Sequence, residues 1–408
     1  MTFKKNKQYF KFSLYGFLKN LRFYEAFLLL FLIDNNISYT HIGILYASKE
    51  ITSFAFEIPS GLIADTYGRK NALILSFALY ILSFILFYLS TSFLIFWLAM
   101  VLFGIADAFR SGAHKGMIMD YLSINNWGEY KTHYYGNTRA WSQRGSAISS
   151  LAAGIIVFYS GEYRTIYLLS IIPYLLNFIN IYTYPKELNH SSNKDSTNSA
   201  SFKKILENSF TQLKNRKVLR VVNSSALHSA FLKSIKDYIQ PLMLYVALLI
   251  PILSSMEEKN RTGLTIGIIY FLIFLLTAYA SSIAGKFSDK FKTNVESRTL
   301  LFGLFAGVLC GLLFHLGFGL IALFSFIAIY FIENLRKPIL TSILTENVTN
   351  EILTSVISAQ AFYKTLITSI LSILIGVIAD LQGVGLGIFS VSMVLIVFTM
   401  AIDRRKKA

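Results

Sequence analysis

Asp107, Arg110 and His114 stand at i, i+3 and i+7, so a helix carries all three on one stripe. A carboxylate, a guanidinium and an imidazole on one face suit two tasks. Arg110 can hold an anionic group, and Asp107 or His114 can carry a proton. The plainer alternative is an Asp107–Arg110 ion pair that only fixes packing. Lys115 follows at once. Farther along, Arg139 and Arg144 have the planar donor fork that grips a carboxylate or phosphate. Lys233, Lys236 and Asp237, with His228 close by, form an i, i+3, i+4 pattern of mixed charge. Glu333, Arg336 and Lys337 repeat it. Glu25 beside Arg22, and Glu50 and Glu57 near Lys49, are carboxylates that burial would make able to take up a proton. The expected solute-binding residues are thus Arg110, His114, Lys115, Arg139, Lys236 and Arg336. The expected proton carriers are Glu25, Glu50, Asp107, Asp237 and Glu333.

Every one of these residues lies in or beside an apolar stretch. Apolar types make up 54% of the 408 residues and only 15% are charged, against about 25% in soluble domains. Twelve stretches read as membrane spans: 12–33, 41–63, 71–91, 93–121, 136–159, 165–184, 218–250, 263–285, 299–316, 318–345, 352–380 and 383–402. Helices are the only segments of these lengths that satisfy every backbone polar group in lipid. The expected fold is all-α and polytopic. A soluble enzyme, a secreted disulfide scaffold and a disordered chain do not fit. The single cysteine, Cys310, forms no internal disulfide.

The basic residues set the orientation. With the N-terminus in the cytosol, Arg164, Lys259 and Arg261 alone fall on the outer side. Lys4, Lys5, Lys7, Lys11, Arg69, Lys70, the 185–217 segment and Arg404 to Lys407 gather inside. Both termini are therefore expected in the cytosol, and the first apolar stretch is expected to be a span rather than a cleaved signal peptide. The net charge of +16 then follows from topology, and nucleic acid is not needed to explain it. The hydrophilic segment 185–217 opens as a flexible linker. Phe202, Ile205, Leu206, Phe210 and Leu213 then recur at helical spacing, as in an amphipathic helix on the membrane surface. It divides the chain into 1–184, 185–217 and 218–408, six spans on either side.

Two segments match across that divide. Gly61-Leu-Ile-Ala-Asp65-Thr-Tyr-Gly68-Arg69-Lys70 follows span 2, and Gly285-Lys-Phe-Ser-Asp289-Lys-Phe-Lys292 follows span 8. On their own terms the glycines permit tight turns, and the aspartates can cap a helix or pair with the following cations. The complete Gly-x-x-x-Asp-x-x-Gly-Arg-Lys pattern, with its Glu57-Ile-Pro59-Ser60 lead-in, resembles the signature of the major facilitator superfamily. The weaker second copy extends the resemblance over essentially the whole chain. The resemblance implies two pseudo-symmetric six-helix bundles, alternating access, and a solute site between them near mid-membrane. It also implies that Gly61, Asp65, Gly68, Arg69, Lys70, Gly285 and Asp289 serve a gate, with Asp65 and Arg69 bracing span 2 against span 11.

Charge within the spans has a period of three. Spans 1, 4, 7 and 10 are charged, while spans 3, 6 and 12 are not and span 9 has only His315. The nested three-helix repeats of the family imply that pattern, with the first helix of each repeat lining a cavity. The intramembrane charge leans basic, which favours an anionic or zwitterionic solute over a lipophilic cation. There is no phosphate loop, no His/Cys metal spacing and no nucleophile triad. No cofactor, metal or covalent chemistry is expected. The expectation is a proton-coupled secondary transporter of the bacterial inner membrane, whose partners are a small solute, protons and lipid, acting as a monomer. A drug/proton antiporter is the alternative, weakened because span 5 reads Gly145-Ser-Ala-Ile-Ser-Ser-Leu-Ala-Ala-Gly154 without proline. A non-transporting receptor is a more distant one.

Overall fold

The computed structural model describes residues 5–189, 216–251, 254–290, 295–348 and 350–404. The amphipathic segment 202–213 lies outside the described residues. Every described element is helical: α1 Lys7–Lys19, α2 Leu28–Asp34, α3 Tyr39–Ala55, α4 Glu57–Tyr67, α5 Arg69–Leu89, α6 Phe93–Arg110, α7 Ala113–Ile124, α8 Lys131–Ser160 and α9 Thr165–Tyr182. After the central segment come α10 Arg216–Ile235, α11 Ile239–Leu248, α12 Glu258–Lys290, α13 Val295–His315, α14 Gly319–Asn347, α15 Asn350–Gln382 and α16 Val384–Arg404. Short 3-10 turns join some of them.

A helix falls on each of the twelve expected spans, though not always an unbroken one. Among the described residues, seven helical stretches are long and apolar enough to cross a membrane, α6 with α7 counting as one. Of the others, the last span is a shorter apolar helix, Val384–Met400. Spans 1, 2 and 7 are each split into two helices, and α8 carries the polar run Asn137 to Ser146 through its middle.

The lipid-type helices are apolar on the outside and polar within. On α9, Leu168, Ile172, Leu175 and Ile179 are exposed, while Ser170, Tyr174 and Asn177 are buried. A water-soluble helix shows the reverse. The buried polar groups bond backbone on neighbouring helices. Asn177 and Asn180 donate to the carbonyls of Tyr15 and Lys11 on α1. Ser76 and Ser83 of α5 donate to the carbonyls of Ala106 and Ala99 on α6, at 2.7 and 2.8 Å. Small hydroxyl residues let the backbones approach closely, and that packing holds helices together where lipid removes the hydrophobic driving force.

By spatial contact the chain forms two compact units. The first is Met1–Phe31, Ser48–Asn198 and Met256–Phe271; the second is Leu32–Ala47, Ser199–Ser255 and Leu272–Ala408. Helices α2, α3 and α12 each contribute one part to either unit. The first unit has an aromatic core in which the Phe84–Tyr174 and Tyr80–Phe103 rings meet at 4.9 Å. In the second unit, Val218, Val221 and Val222 pack with Leu340, Leu344 and Val356.

Candidate functional site

Three of the four charged spans are broken helices, with charges at the breaks. In span 1, α1 ends at Lys19, and Glu25 lies in a 3-10 turn, Phe23–Ala26, that Arg22 precedes. In span 4, α6 ends at Arg110, and Gly112 turns the chain with φ +72° before α7. In span 7, Lys236 and Asp237 form a 3-10 turn between α10 and α11. In span 10 the helix continues, but Pro338 follows Arg336 by two residues and withholds a backbone donor. A break leaves carbonyl and N–H groups unpaired, tolerable at membrane depth only against protein or a polar cavity.

The first unit brings together the residues of one such site. Asp107 accepts hydrogen bonds from Arg110 Nη2 at 2.9 Å and the Tyr80 hydroxyl at 2.5 Å, and pairs with Lys49 Nζ at 3.9 Å. Arg110 also donates through Nε to the Tyr80 oxygen at 2.9 Å. Arg22 pairs with Glu25 at 3.6 Å. The Ser76 and Ser83 bonds fix α5 against α6, and Tyr80, on the same α5 face, meets Asp107. Lys49 is placed by Gly104, whose missing side chain lets the α3 backbone pass; a Cβ there would lie 2.7 Å from the Lys49 carbonyl. Lys49 also stands over the Phe103 ring, 4.6 Å from its centroid. Arg22, Glu25, Lys49, Asp107 and Arg110 all keep partial exposure, 20 to 37% of their side-chain surface. Arg22, Lys49 and Arg110, with Lys19 nearby, therefore face Glu25 and Asp107.

The second unit holds a more deeply buried group. His228 of α10 meets Glu333 of α14, Nδ1 to Oε2, at 2.6 Å, and the Ser229 hydroxyl donates to the other Glu333 oxygen. Arg336 points elsewhere. Its Nη2 donates to the carbonyl and hydroxyl of Ser224, at 3.0 and 2.7 Å, and to the Glu296 carbonyl at 3.3 Å. Lys236 pairs with Asp237 at 3.7 Å.

These breaks and charges belong to a chain with known relatives. The family model of the Major Facilitator Superfamily matches residues 22–372. The chain belongs to the Major Facilitator Superfamily. An uncharacterised MFS-type transporter of Bacillus subtilis (strain 168), YxaM, is 27% identical over 217 residues, 53% of either chain. The match thus spans about half the length of that relative. Among solved structures, the nucleoside transporter NupG superposes with a TM-score of 0.77 at 14% identity, over 99% of this chain and all of that one. A bacterial homologue of the human lysosomal transporter Spinster gives 0.72 at 13%, over 96% of each. At these identities the likeness shows the shared fold, an MFS fold in a multi-pass membrane protein.

The superfamily signature is fully placed. Gly68 requires its glycine: φ is +95°, and a Cβ would stand 2.1 Å from the Asn189 carbonyl oxygen. Arg69 forms an ion pair with Asp120 of α7 at 2.6 Å, and Gly116 opposite leaves room for the guanidinium. Lys70 donates to the Tyr184 carbonyl at 2.7 Å, just beyond the end of α9. Asp65 is exposed, and Gly61 has open space around it. In the second copy Gly285 is likewise open, while the side chain of Asp289 lies outside the described residues.

Several expected MFS site residues make contacts of their own. The His114 ring stacks on Tyr15 at 3.6 Å and 9°, edge-on to Phe12, with Nε2 3.4 Å from the Tyr184 hydroxyl. That is an aromatic nest, and it adjoins the cluster through Tyr15, which is within hydrogen-bond reach of Arg110. Lys115 stands over the Tyr135 ring and Arg144 over Trp141. Arg139 is exposed on α8, and Glu50 is buried on α3. Sequence reasoning missed Tyr80 and the pairing of His228 with Glu333. Tyr80 lies in a span without charge, and nothing in its local sequence separates it from the other tyrosines.

Proposed function

We propose that this chain is a secondary transporter of the bacterial inner membrane, with both termini cytosolic, moving a small anionic or zwitterionic solute by alternating access coupled to protons. The single observation that carries the reading is the Asp107 cluster at two helix breaks. Arg22, Lys49 and Arg110 outnumber Glu25 and Asp107, and all five keep partial exposure. An anionic group entering there competes for cations that now share two carboxylates. A zwitterion exchanges with the existing pairs one for one, so no buried charge is stranded.

Arg110 is already held by Asp107 and Tyr80. In the proposed cycle, solute competes for Arg110, and protonation of a carboxylate relaxes its ion pair before the molecule changes state. The chain's own residues hold solute and protons, and no covalent step is needed. That the structural relatives include transporters of nucleosides, peptides and D-xylose supports solute transport as the class of activity.

The test is a melting-temperature screen of purified protein against small anions, zwitterions and cationic drugs, run beside Arg110→Ala, because a ligand that binds the native state must stabilise it. An anion or zwitterion that stabilises wild type but not Arg110→Ala supports the reading. Stabilisation by cationic drugs alone, indifferent to Arg110→Ala, overturns it. Proteoliposome uptake of the hit under a proton gradient then tests coupling.

A further inference from the structure

The His228–Glu333 pair is buried, titratable and built from two helices. Both carboxylate oxygens of Glu333 are held from α10, one by His228 Nδ1 and one by the Ser229 hydroxyl. His228 is fully buried, while Glu333 keeps 14% of its side-chain surface exposed. The carboxylate edge is therefore where a proton can enter.

The other ring nitrogen fixes the charge state. His228 Nε2 is buried with no hydrogen-bond partner among the described residues. It faces Gly303 of α13, where a Cβ would stand 1.9 Å away. An imidazolium would bury a second N–H against that glycine with no acceptor, which is costly. A neutral imidazole donates Nδ1–H to Glu333 and leaves Nε2 as a lone pair. The pair at rest is then a neutral imidazole on an ionised carboxylate, with one negative charge and room for one proton.

Among the described residues, the charges tied to this pair are those of Arg336, Glu296 and Arg220. Arg336 lies one turn farther along α14, its guanidinium turned to the Ser224 carbonyl and hydroxyl and the Glu296 carbonyl. Its Nε and Nη1 have no partner among the described residues. Glu296 of α13 is paired with Arg220 at 3.7 Å. From α15, Gln360 reaches Ser225 and brings no charge. The carboxylate of Glu333 therefore balances Arg336, and a proton on the pair leaves the Arg336 charge uncompensated.

We infer that His228, Ser229 and Glu333 form a one-proton binding site in the second unit, whose filling changes the local charge from neutral to positive. The proton arrives from water at the Glu333 edge, forms an O–H bond on the carboxylate, and returns to water when the site empties. The role of this site in a transport cycle rests on the proton-coupled reading above; the binding itself does not.

Infrared titration of the purified protein with H/D exchange reads a protonated carboxyl directly through its C=O band, without any solute. The band should appear as pH falls, vanish in Glu333→Gln and persist in Asp107→Asn. His228→Asn, which keeps a donor near the Nδ1 position, should move the midpoint by at least about one pH unit. Monodisperse elution of each variant checks folding. A band of full amplitude in Glu333→Gln overturns the site, as does a His228→Asn midpoint identical to wild type. A titrating pair in a protein whose solute uptake carries no proton would sink the coupled-transport reading and leave the site standing. Proton-coupled uptake undiminished in Glu333→Gln would overturn the role of the site in the cycle.

Discussion

Asp107 shows how much one carboxylate can organise. Tyr80, Arg110 and Lys49 converge on it from three helices, so removing any donor weakens both the pair and the helix contact. Tyr80→Phe deletes a single hydroxyl and should destabilise the protein by about 1 kcal/mol, read as a lower melting temperature in detergent. The Arg69–Asp120 pair is shorter and less exposed than the surface ion pairs that contribute little. Arg69→Ala removes the short ion pair from Asp120 and should cost about 2 kcal/mol; a melting temperature unchanged from wild type would refute this. Gly68→Ala should be worse than either, because the backbone conformation and the Asn189 carbonyl both exclude a side chain. Its expected outcome is loss of monodisperse protein on size exclusion.

At the scale of the helix, the ends matter more than the middles. The first turn of α3 is capped from another helix: Asp380 of α15 accepts from the backbone N–H groups of Tyr39 and Thr40 at 2.8 and 2.7 Å. A carboxylate also suits the positive end of a helix dipole. Asp380→Ala should free both donors, at a cost of about 1 kcal/mol. Amide exchange of a peptide covering 38–43 should quicken, while exchange in α5 stays as it was; equal rates in that peptide would count against the cap. The breaks in spans 1, 4 and 7 are helix ends of another kind. Arg110, in the last turn of α6, meets the negative end of that helix as well as Asp107. The sequence signals for the breaks were present but weak. Gly112 and Pro338 are punctuating residues, whereas the 3-10 turns at Phe23–Ala26 and Lys236–Tyr238 contain neither Gly nor Pro.

For the molecule as a whole, the proposed topology makes a prediction that needs no solute. Cys310 is fully buried, and Cys310→Ala gives a background without thiols. Glu257→Cys in that background should react with a membrane-impermeant maleimide added to intact cells, and Lys131→Cys should not. The reverse pattern would invert the orientation drawn from the basic residues. Both sites lie outside the charged clusters, so labelling reports sidedness and not chemistry.

Sequence alone determined the helical class and the superfamily, and it marked the stretches on which the helices lie. These rest on properties that each stretch carries by itself: apolar length, the intolerance of lipid for unpaired backbone, and a signature of contiguous residues. The period of three in the charges was legible for the same reason. Partners were not. Asp107 with Arg110, and Arg22 with Glu25, are three residues apart on one segment and could be paired by spacing. Tyr80 with Asp107, His228 with Glu333 and Asp380 with the start of α3 join residues on different helices. Their meeting depends on helix rotation and register, fixed by packing at Gly104, Ser76 and Ser83 and at Gly303. Such contacts are properties of pairs of surfaces, so only the tertiary structure decided which charges are clamped, which are buried and which remain open to a solute.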